Sequence, residues 1–303
     1  MNFTAKDVAA LRETTGCGMM DCKKALTEAD GDVDKAIELL REKGLAAQAK
    51  KASRIASEGM VDTYIDEKVG VIIEVNSETD FVAKNAEFQA LVKGAAKAAA
   101  AYNPADVEAL KACKFEDTEF TVEDILREKI LKIGENMNIR RFERLEGTCV
   151  SYVHGGGSEA AMVLFEGDAA NEKVQEALRN VCMQIVAMHP AYLCREDVPA
   201  EVIENEKAIL LAQIKNDPKN ANKPENILEK MIGGKIGKYY TENCLLEQAY
   251  VKDDKVSVGA YLAQVSKEIG SEIVVKTFIS YVKGEGLEKR VDDFAAEVAS
   301  MSK

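Results

Sequence analysis

The stretch GVIIEVNSETDFVAKNAEFQALV, residues 70–92, changes its period midway. Its apolar opening, VIIEV, suits a strand that is paired and buried. From Phe88 onward, Phe88, Leu91, Val92, Ala95 and Ala99 recur at helical spacing. Between the two lies NSETDFVAKN, residues 76–85, where a large aromatic follows an acid at the point where strand must give way to helix. Counted back from the helical stripe, Phe81 is two turns early and in phase, which is a core position. Lys84 and Asn85 occupy the intervening turn of that face, however, so the stripe is broken and Phe81 would overhang the body by about 10 Å of helix rise. Thr79 or Asp80 can cap the helix, and Asp80 then needs no role beyond a carboxylate at the positive end of the dipole. Pattern alone leaves Phe81 open between core and projection.

Working outward, the chain loosely repeats itself. Residues 58–104 run EGMVDTYID, a polar turn, GVIIEV, an alanine-rich helix and Asn103-Pro104; residues 146–190 run EGTCVSYVH, a Gly-rich turn, AAMVLF, a helix and His189-Pro190. Each half reads as a β-hairpin followed by a helix, with Tyr64 and Tyr152 at matching places. In the first strand Val61, Thr63 and Ile65 share one face and Asp62, Tyr64 and Asp66 the other, as in a half-buried strand. Between the copies, TVEDILREKILKIGENMNIRRFERLEG predicts a helix from about Val122 to Ile133, a stop at Gly134 and a strand.

Beyond the second copy, Val202, Ile203, Ile209, Leu210 and Ile214, then Ile227, Leu228, Met231 and Ile232, flank the loop NDPKNANKP at the spacing of an antiparallel helical hairpin, about 196–240. The tail offers a helix near 257–269, a strand SEIVVKTFISYV, a turn at Gly284 to Gly286, and a final amphipathic helix with Phe294 and Val298.

The first 45 residues predict three short helices. Thr4 caps the first with Asp7 three residues on, Gly16 stops it, Asp30-Gly31 ends the second, Asp32 caps the third and Gly44 closes it. On the second helix Met19, Cys22, Ala25, Leu26 and Ala29 form one stripe, and Met20 points away from it. An exposed methionine beside Lys23 and Lys24 is either plain surface or adaptable contact area for a partner. The following GLAAQAKKASRIASEG reads as a helical or flexible linker whose Lys50, Lys51 and Arg54 are solvated.

Composition bounds the function. At 303 residues and 47% hydrophobic content the chain holds two or three domains. With 52 acidic against 40 basic residues its net charge is −12, which disfavours direct nucleic-acid binding. The N-terminus carries charges from its sixth residue without an apolar run of signal-peptide length, and nothing approaches the ~20 apolar residues of a membrane span, so no membrane role and a cytoplasmic location are expected. The seven cysteines lack a C-x-x-C pair and read as reduced small hydrophobes; with only His154 and His189 a zinc site is not supplied. GGKIGKYY fails the P-loop spacing, and the glycines after His154 sit in a hairpin turn with no helix opening on them. No convincing catalytic residues emerge, which favours a binding protein over an enzyme; the rival classes are a generic adaptor and a Cys-dependent enzyme.

Four separated motifs, TGCGMMDCKKAL at 15–26, EVNSETDFVAKN at 74–85, KIGENMNIRR at 132–141 and GEGLEKRVDDFAAEVA at 284–299, give the chain a resemblance to bacterial translation elongation factor Ts along its whole length. The resemblance implies a guanine-nucleotide exchange factor for elongation factor Tu. It also implies an α+β architecture: a ubiquitin-associated-like three-helix module (1–45), a linker (46–57), two related core subdomains (58–144 and 145–282, the second carrying the coiled-coil hairpin) and a C-terminal helical module (283–303). By the same resemblance Asp80 and Phe81, with Thr79 and Val82, would enter the partner's GTPase domain near its magnesium and phosphate site. Met19, Met20 and Lys23 would make the N-terminal contact, and Ile133, Gly134 and His154 would match further interface positions. The factor would need no cofactor of its own, since GDP, GTP and magnesium belong to the partner. Two departures stand out: Ser77 stands where a cysteine or another residue is common, and SEAAMV follows the glycines beside His154 where Arg-Ile-Gly-Val-Leu-Val is typical.

Overall fold

The alternating and apolar runs of residues 58–77 form a hairpin of β1 (Glu58–Ile65) and β2 (Val69–Ser77), with Met60 opposite Val75 and Tyr64 opposite Val71. In this computed structural model, which describes residues 2–15, 17–216 and 224–289, β2 is buried along its entire length. That follows from its position: β3 (Met137–Glu146) pairs with its other edge, giving the order β1-β2-β3, and a continuous apolar run is what a centrally placed strand requires. The chain divides into two compact units. The first holds residues up to Glu146, the hairpin tip Val153–Ala160 and the described residues from Tyr281; the second holds Gly147–Tyr152 and Ala161–Ser280.

Within the first unit, Val71, Ile73 and Val75 of β2 pack against Phe88, Leu91, Val92, Ala95 and Ala99. A single turn, α4 (Asp80–Ala83), precedes the helix that carries that stripe, α5 (Ala86–Tyr102). Met60 and Tyr64 join this core, so the Asp62 side of β1 faces the helix. Val61 is buried on the other face, where its N–H donates to the Gly157 carbonyl at 2.8 Å. The short α6 (Val107–Ala112) and α7 (Val122–Ile133) complete the core. Thr121 and Asp124 cap α7 reciprocally, and Gly134 at φ 89° ends it at the expected residue. Gly94 admits the Phe115 ring so closely that a Cβ there would lie 2.1 Å from a ring carbon.

Three helices open the chain: α1 (Ala5–Thr15), α2 (Met19–Glu28) and α3 (Val33–Lys51). The Thr4–Asp7 box and the Asp32 cap form as expected, and Val8, Leu11, Cys22, Ala25, Leu26 and Leu40 make the small core. The expected stop at Gly16 lies outside the described residues. Gly44 does not close α3. The helix runs through it to Lys51 because its last turns dock on α7: Gln48 donates to Glu123 at 3.0 Å, accepts from Arg127 at 3.2 Å, and Lys51 Nζ donates to the Ile130 carbonyl at 3.2 Å. Tertiary contact thus overrides a glycine penalty of about 1 kcal/mol. Of the linker cations expected to be solvated, Lys51 is thus engaged, and Arg54 is paired to Glu78 at 3.3 Å.

The strands β4 (Cys149–His154), β5 (Glu159–Glu166) and β8 (Val274–Val282) lie in the order β4-β5-β8, and in the second unit α8 (Glu172–Met188) packs its Ala177, Val181 and Ile185 with Val163 and Phe165. The suspected repeat is visible in detail. Asn85 and Asn171 both cap 17-residue helices, Gln89 and Gln175 both reach back to the carbonyls of Ala83 and Ala169, and Asn103 and His189 both end them in the left-handed conformation before a proline. His189 is therefore a helix terminator.

The hairpin comprises α9 (Ala200–Asn216) and α10 (Glu225–Asn243), packed through Ile203, Leu210 and Ile236. Ile214 is buried, but Ile209 and Ile227, expected in the seam, are exposed. The seam is narrower than the full apolar pattern because only one face of each helix meets the other. Most of the connecting loop, 217–223, lies outside the described residues. The strands β6 (Ala249–Tyr250) and β7 (Asp253–Ser257) and the helix α11 (Val258–Ile269) follow. The expected final helix with Phe294 and Val298 falls outside the described residues. No helix among them is long and apolar enough to cross a membrane.

Candidate functional site

The break suspected at Lys84 and Asn85 is real, and it separates two helices. Lys84 and Asn85 donate their N–H groups to the carbonyls of Phe81 and Val82, closing α4 as one turn, and Asn85 then caps α5 anew by accepting from Glu87 N–H at 2.8 Å. Phe81 is consequently not a distant member of the α5 stripe. The two side chains of the turn diverge: Val82 is 5% exposed and joins the core, while Phe81 is 78% exposed. Val82 thus anchors the turn and Phe81 projects from it.

Neither expected cap acts as one. Thr79 occupies the N-cap position of α4 but makes no side-chain cap bond, and Asp80, in the first turn, pairs with Lys84 at 3.0 Å. The hydrogen bond from Lys84 is the main reason the Asp80 carboxyl is held below its ordinary range. The same ammonium lies 5.8 Å from the Phe81 ring centroid, a cation–π distance. Phe81 is therefore flanked by an ion pair and presents an apolar tip with a charged collar.

The turn is tied to the segment after α7. Thr79 donates its N–H to Glu135 Oε2 at 3.0 Å and its hydroxyl to Glu135 Oε1 at 2.7 Å. In return Asn136 N–H donates to Glu78 Oε1 at 2.6 Å, and Asn136 Nδ2 donates to the Arg54 carbonyl at 2.9 Å. Ile133 and Gly134, singled out from a separate motif, directly precede the Glu135 that holds Thr79. Gly134 is exposed, with nothing near its missing Cβ, and Ile133 is half-buried against the same core as Val82.

His154 sits at the exposed end of β4, where its carbonyl accepts from Gly157 N–H and Ser158 N–H. Its turn is fastened to Val61 of β1 through the Gly157 carbonyl. Met19, Met20 and Lys23 are all exposed on α2. The exposure of Met19, 49%, corrects its assignment to the buried stripe: it begins the helix one turn before Cys22, the first residue that reaches the small core.

The second copy joins strand to helix without such a turn. There Gly167 and Asp168 lead from β5 into α8 with no counterpart of α4, so joining strand to helix does not require a helical turn or an exposed aromatic. None of the seven cysteines is in a disulfide, and burial pushes the Cys182 thiol well above its ordinary range, away from nucleophilic use. Among the described residues no group of three or more His, Cys, Asp or Glu side chains is placed to hold a metal.

Glu135, Glu78 and Asn136 were not singled out by sequence reasoning, because no spacing rule links positions separated by 56 residues. Glu74 had a signal, as the one acid within VIIEV.

The model of the family Elongation factor TS matches residues 78–285. Over full length the chain is 48% identical to Elongation factor Ts of Syntrophotalea carbinolica, all of both chains being covered. It is 50% identical to Elongation factor Ts of Clostridium perfringens over 99% of both chains, and 48% identical to that of Clostridium botulinum over 98% of this chain and 97% of the other.

Proposed function

The chain belongs to the elongation factor Ts family, and from that premise we propose that it promotes GDP release from elongation factor Tu by inserting Phe81, with Asp80 beside it, near the partner's magnesium and phosphate site. The observation that carries this reading is the 78% exposure of Phe81 on a turn whose next residue, Val82, is buried. An aromatic ring held out in this way gains about 1.5–3 kcal/mol when a partner's apolar pocket removes it from water.

Exchange by such a factor involves no covalent step. A partner that binds the nucleotide-free GTPase more tightly than the GDP-bound form weakens GDP by the same factor, by reciprocity. Phosphate and magnesium contacts are charge-assisted and geometrically demanding, so a small displacement there costs the nucleotide most. The guanine nucleotide and magnesium belong to the GTPase, and the factor contributes surface alone. Incoming GTP then rebinds and releases it.

Ile133 and Gly134, next to the turn, form the adjoining contact. Met19, Met20 and Lys23 on α2 form a second one, and His154 a third whose neighbours differ from the family pattern. The segmentation at 45, 57, 144 and 282 is proposed on the same basis. The test is release of fluorescent GDP from elongation factor Tu with and without the chain. Acceleration by substoichiometric amounts is expected, and its absence would overturn the exchange reading.

A further inference from the structure

We propose that Glu135 is the positioning residue for the Phe81 turn, holding it in the one orientation from which the ring can be pushed into a partner. This rests on the reading of Phe81 as the inserting residue. The need for such a residue follows from the size of α4. A four-residue helix closes only its first bonds and falls on the unfavourable side of nucleation, so it does not hold its own shape. It also lacks a side-chain cap at Thr79. An aromatic on an unsupported turn would fold back against its own surface as readily as it entered a packed pocket.

Beside the bond from Gln89 to the Ala83 carbonyl, two fastenings orient the start of the turn. At the inner side Val82 is buried in the core. At the N-terminal side the Glu135 carboxylate accepts both the N–H and the hydroxyl of Thr79, at 3.0 and 2.7 Å, which fixes the backbone of the residue before Asp80 by two charge-assisted bonds. The bracket is itself braced. Asn136, next to Glu135, donates N–H to Glu78, next to Thr79, so the two short segments exchange bonds in both directions. One turn earlier, Lys51 Nζ donates to the Ile130 carbonyl of α7. Burial lowers the Lys51 pKa, the neighbouring Arg54 lowers it further, and Glu78 and Glu135 partly offset both. Thr79 is therefore held from the segment after α7 and from β2, where Ser77 Oγ donates to its carbonyl at 3.0 Å. This arrangement belongs to the copy that carries the aromatic, since α4 has no counterpart before α8.

The experiment uses the full chain with Glu135→Ala, Glu135→Gln, Thr79→Val, Phe81→Ala and the double variant Glu135→Ala/Phe81→Ala. Stimulated release of fluorescent GDP from elongation factor Tu is measured across factor concentrations, and the melting of each free variant is followed. Glu135→Ala is expected to lower the maximal release rate about tenfold, the loss of a charge-assisted bond, with a smaller change in the half-saturating concentration. Glu135→Gln, which keeps one acceptor, recovers part of the rate, and Thr79→Val loses less than Glu135→Ala. In the Phe81→Ala background Glu135→Ala adds little, because it acts through the ring. A maximal rate unchanged in Glu135→Ala, or an effect that multiplies with that of Phe81→Ala, overturns the proposal. If Glu135→Ala melts early, Glu135→Gln and Thr79→Val decide the matter by the same two criteria. If the unaltered chain fails to accelerate release, the exchange reading itself falls, and the positioning role with it.

Discussion

The Glu74 carboxylate, fully buried in β2, receives Arg141 Nε at 2.7 Å. A bulge in β3 makes Arg140 the extra residue opposite Glu74 and Val75, so a second guanidinium reaches the same carboxylate at 3.0 Å. Asn76 Nδ2 and the Gly284 N–H complete its shell. Breaking a buried pair from one side costs about 3–5 kcal/mol. Glu74→Ala is therefore expected to lower the stability of this unit by about 3 kcal/mol in urea unfolding, since both arginines retain some solvent access.

The same cluster sets an acid limit. Burial pushes the Glu74 carboxyl up, but the bonds from Gly284, Asn76, Arg141 and Arg140 outweigh it and leave the group below its ordinary value of 4.5. With the folded pKa depressed, the stabilisation is complete above the unfolded value and drains away as pH falls through the lower folded one. Unfolding free energy followed downward from pH 6 is expected to fall less steeply in Glu74→Gln than in the unaltered chain.

Phe81→Ala separates function from fold. At 78% exposure the ring contributes little to the folded chain, so stability is expected to change by no more than about 0.5 kcal/mol. Stimulated GDP release is expected to fall at least about tenfold, as the loss of a buried aromatic contact requires. Melting and nucleotide-release curves on one preparation check both.

Two glycines are expected to respond in opposite directions. Gly44 lies mid-helix, and a Cβ there would meet Arg127 at 3.7 Å, an ordinary contact, so Gly44→Ala is expected to stabilise by about 0.5–1 kcal/mol. At Gly94 the added methyl would strike the Phe115 ring, itself 8% exposed, and Gly94→Ala is expected to cost about 1–3 kcal/mol. Chemical denaturation of the pair gives both signs.

Asp62 lies on the helix-facing side of β1 with a buried Oδ2 that has no hydrogen-bond partner, and burial raises its carboxyl above the ordinary range. With the folded pKa raised, this group favours the folded state at low pH, and the contribution is lost as pH rises through the folded value. Asp62→Asn is expected to stabilise by about 1 kcal/mol at neutral pH, with the gain vanishing below the ordinary value of 3.8. A stability–pH series on both chains checks the sign.

Much of the local structure was legible in the residues. The span of α7, the Thr4–Asp7 and Asp32 caps, the hairpins and the matched helix ends at Asn103 and His189 are all written within windows of a few residues, where periodicity, capping and turn chemistry act. Gly44 was misjudged because a local stop signal of about 1 kcal/mol was weighed without the docking of Gln48 and Lys51 on α7.

The amino-acid order by itself determined most of the strand and helix segments, that the chain repeats a hairpin–helix unit, and that the stripe between Phe81 and Phe88 breaks at Lys84 and Asn85. Tertiary structure alone decided that Phe81 projects while Val82 is buried, that Thr79 is held by Glu135, and that two arginines converge on Glu74. Helix and strand periods are short-range, set by neighbours within a turn or a pleat. The direction of a side chain at a helix break depends on partners brought near only when the sheet and α7 have assembled.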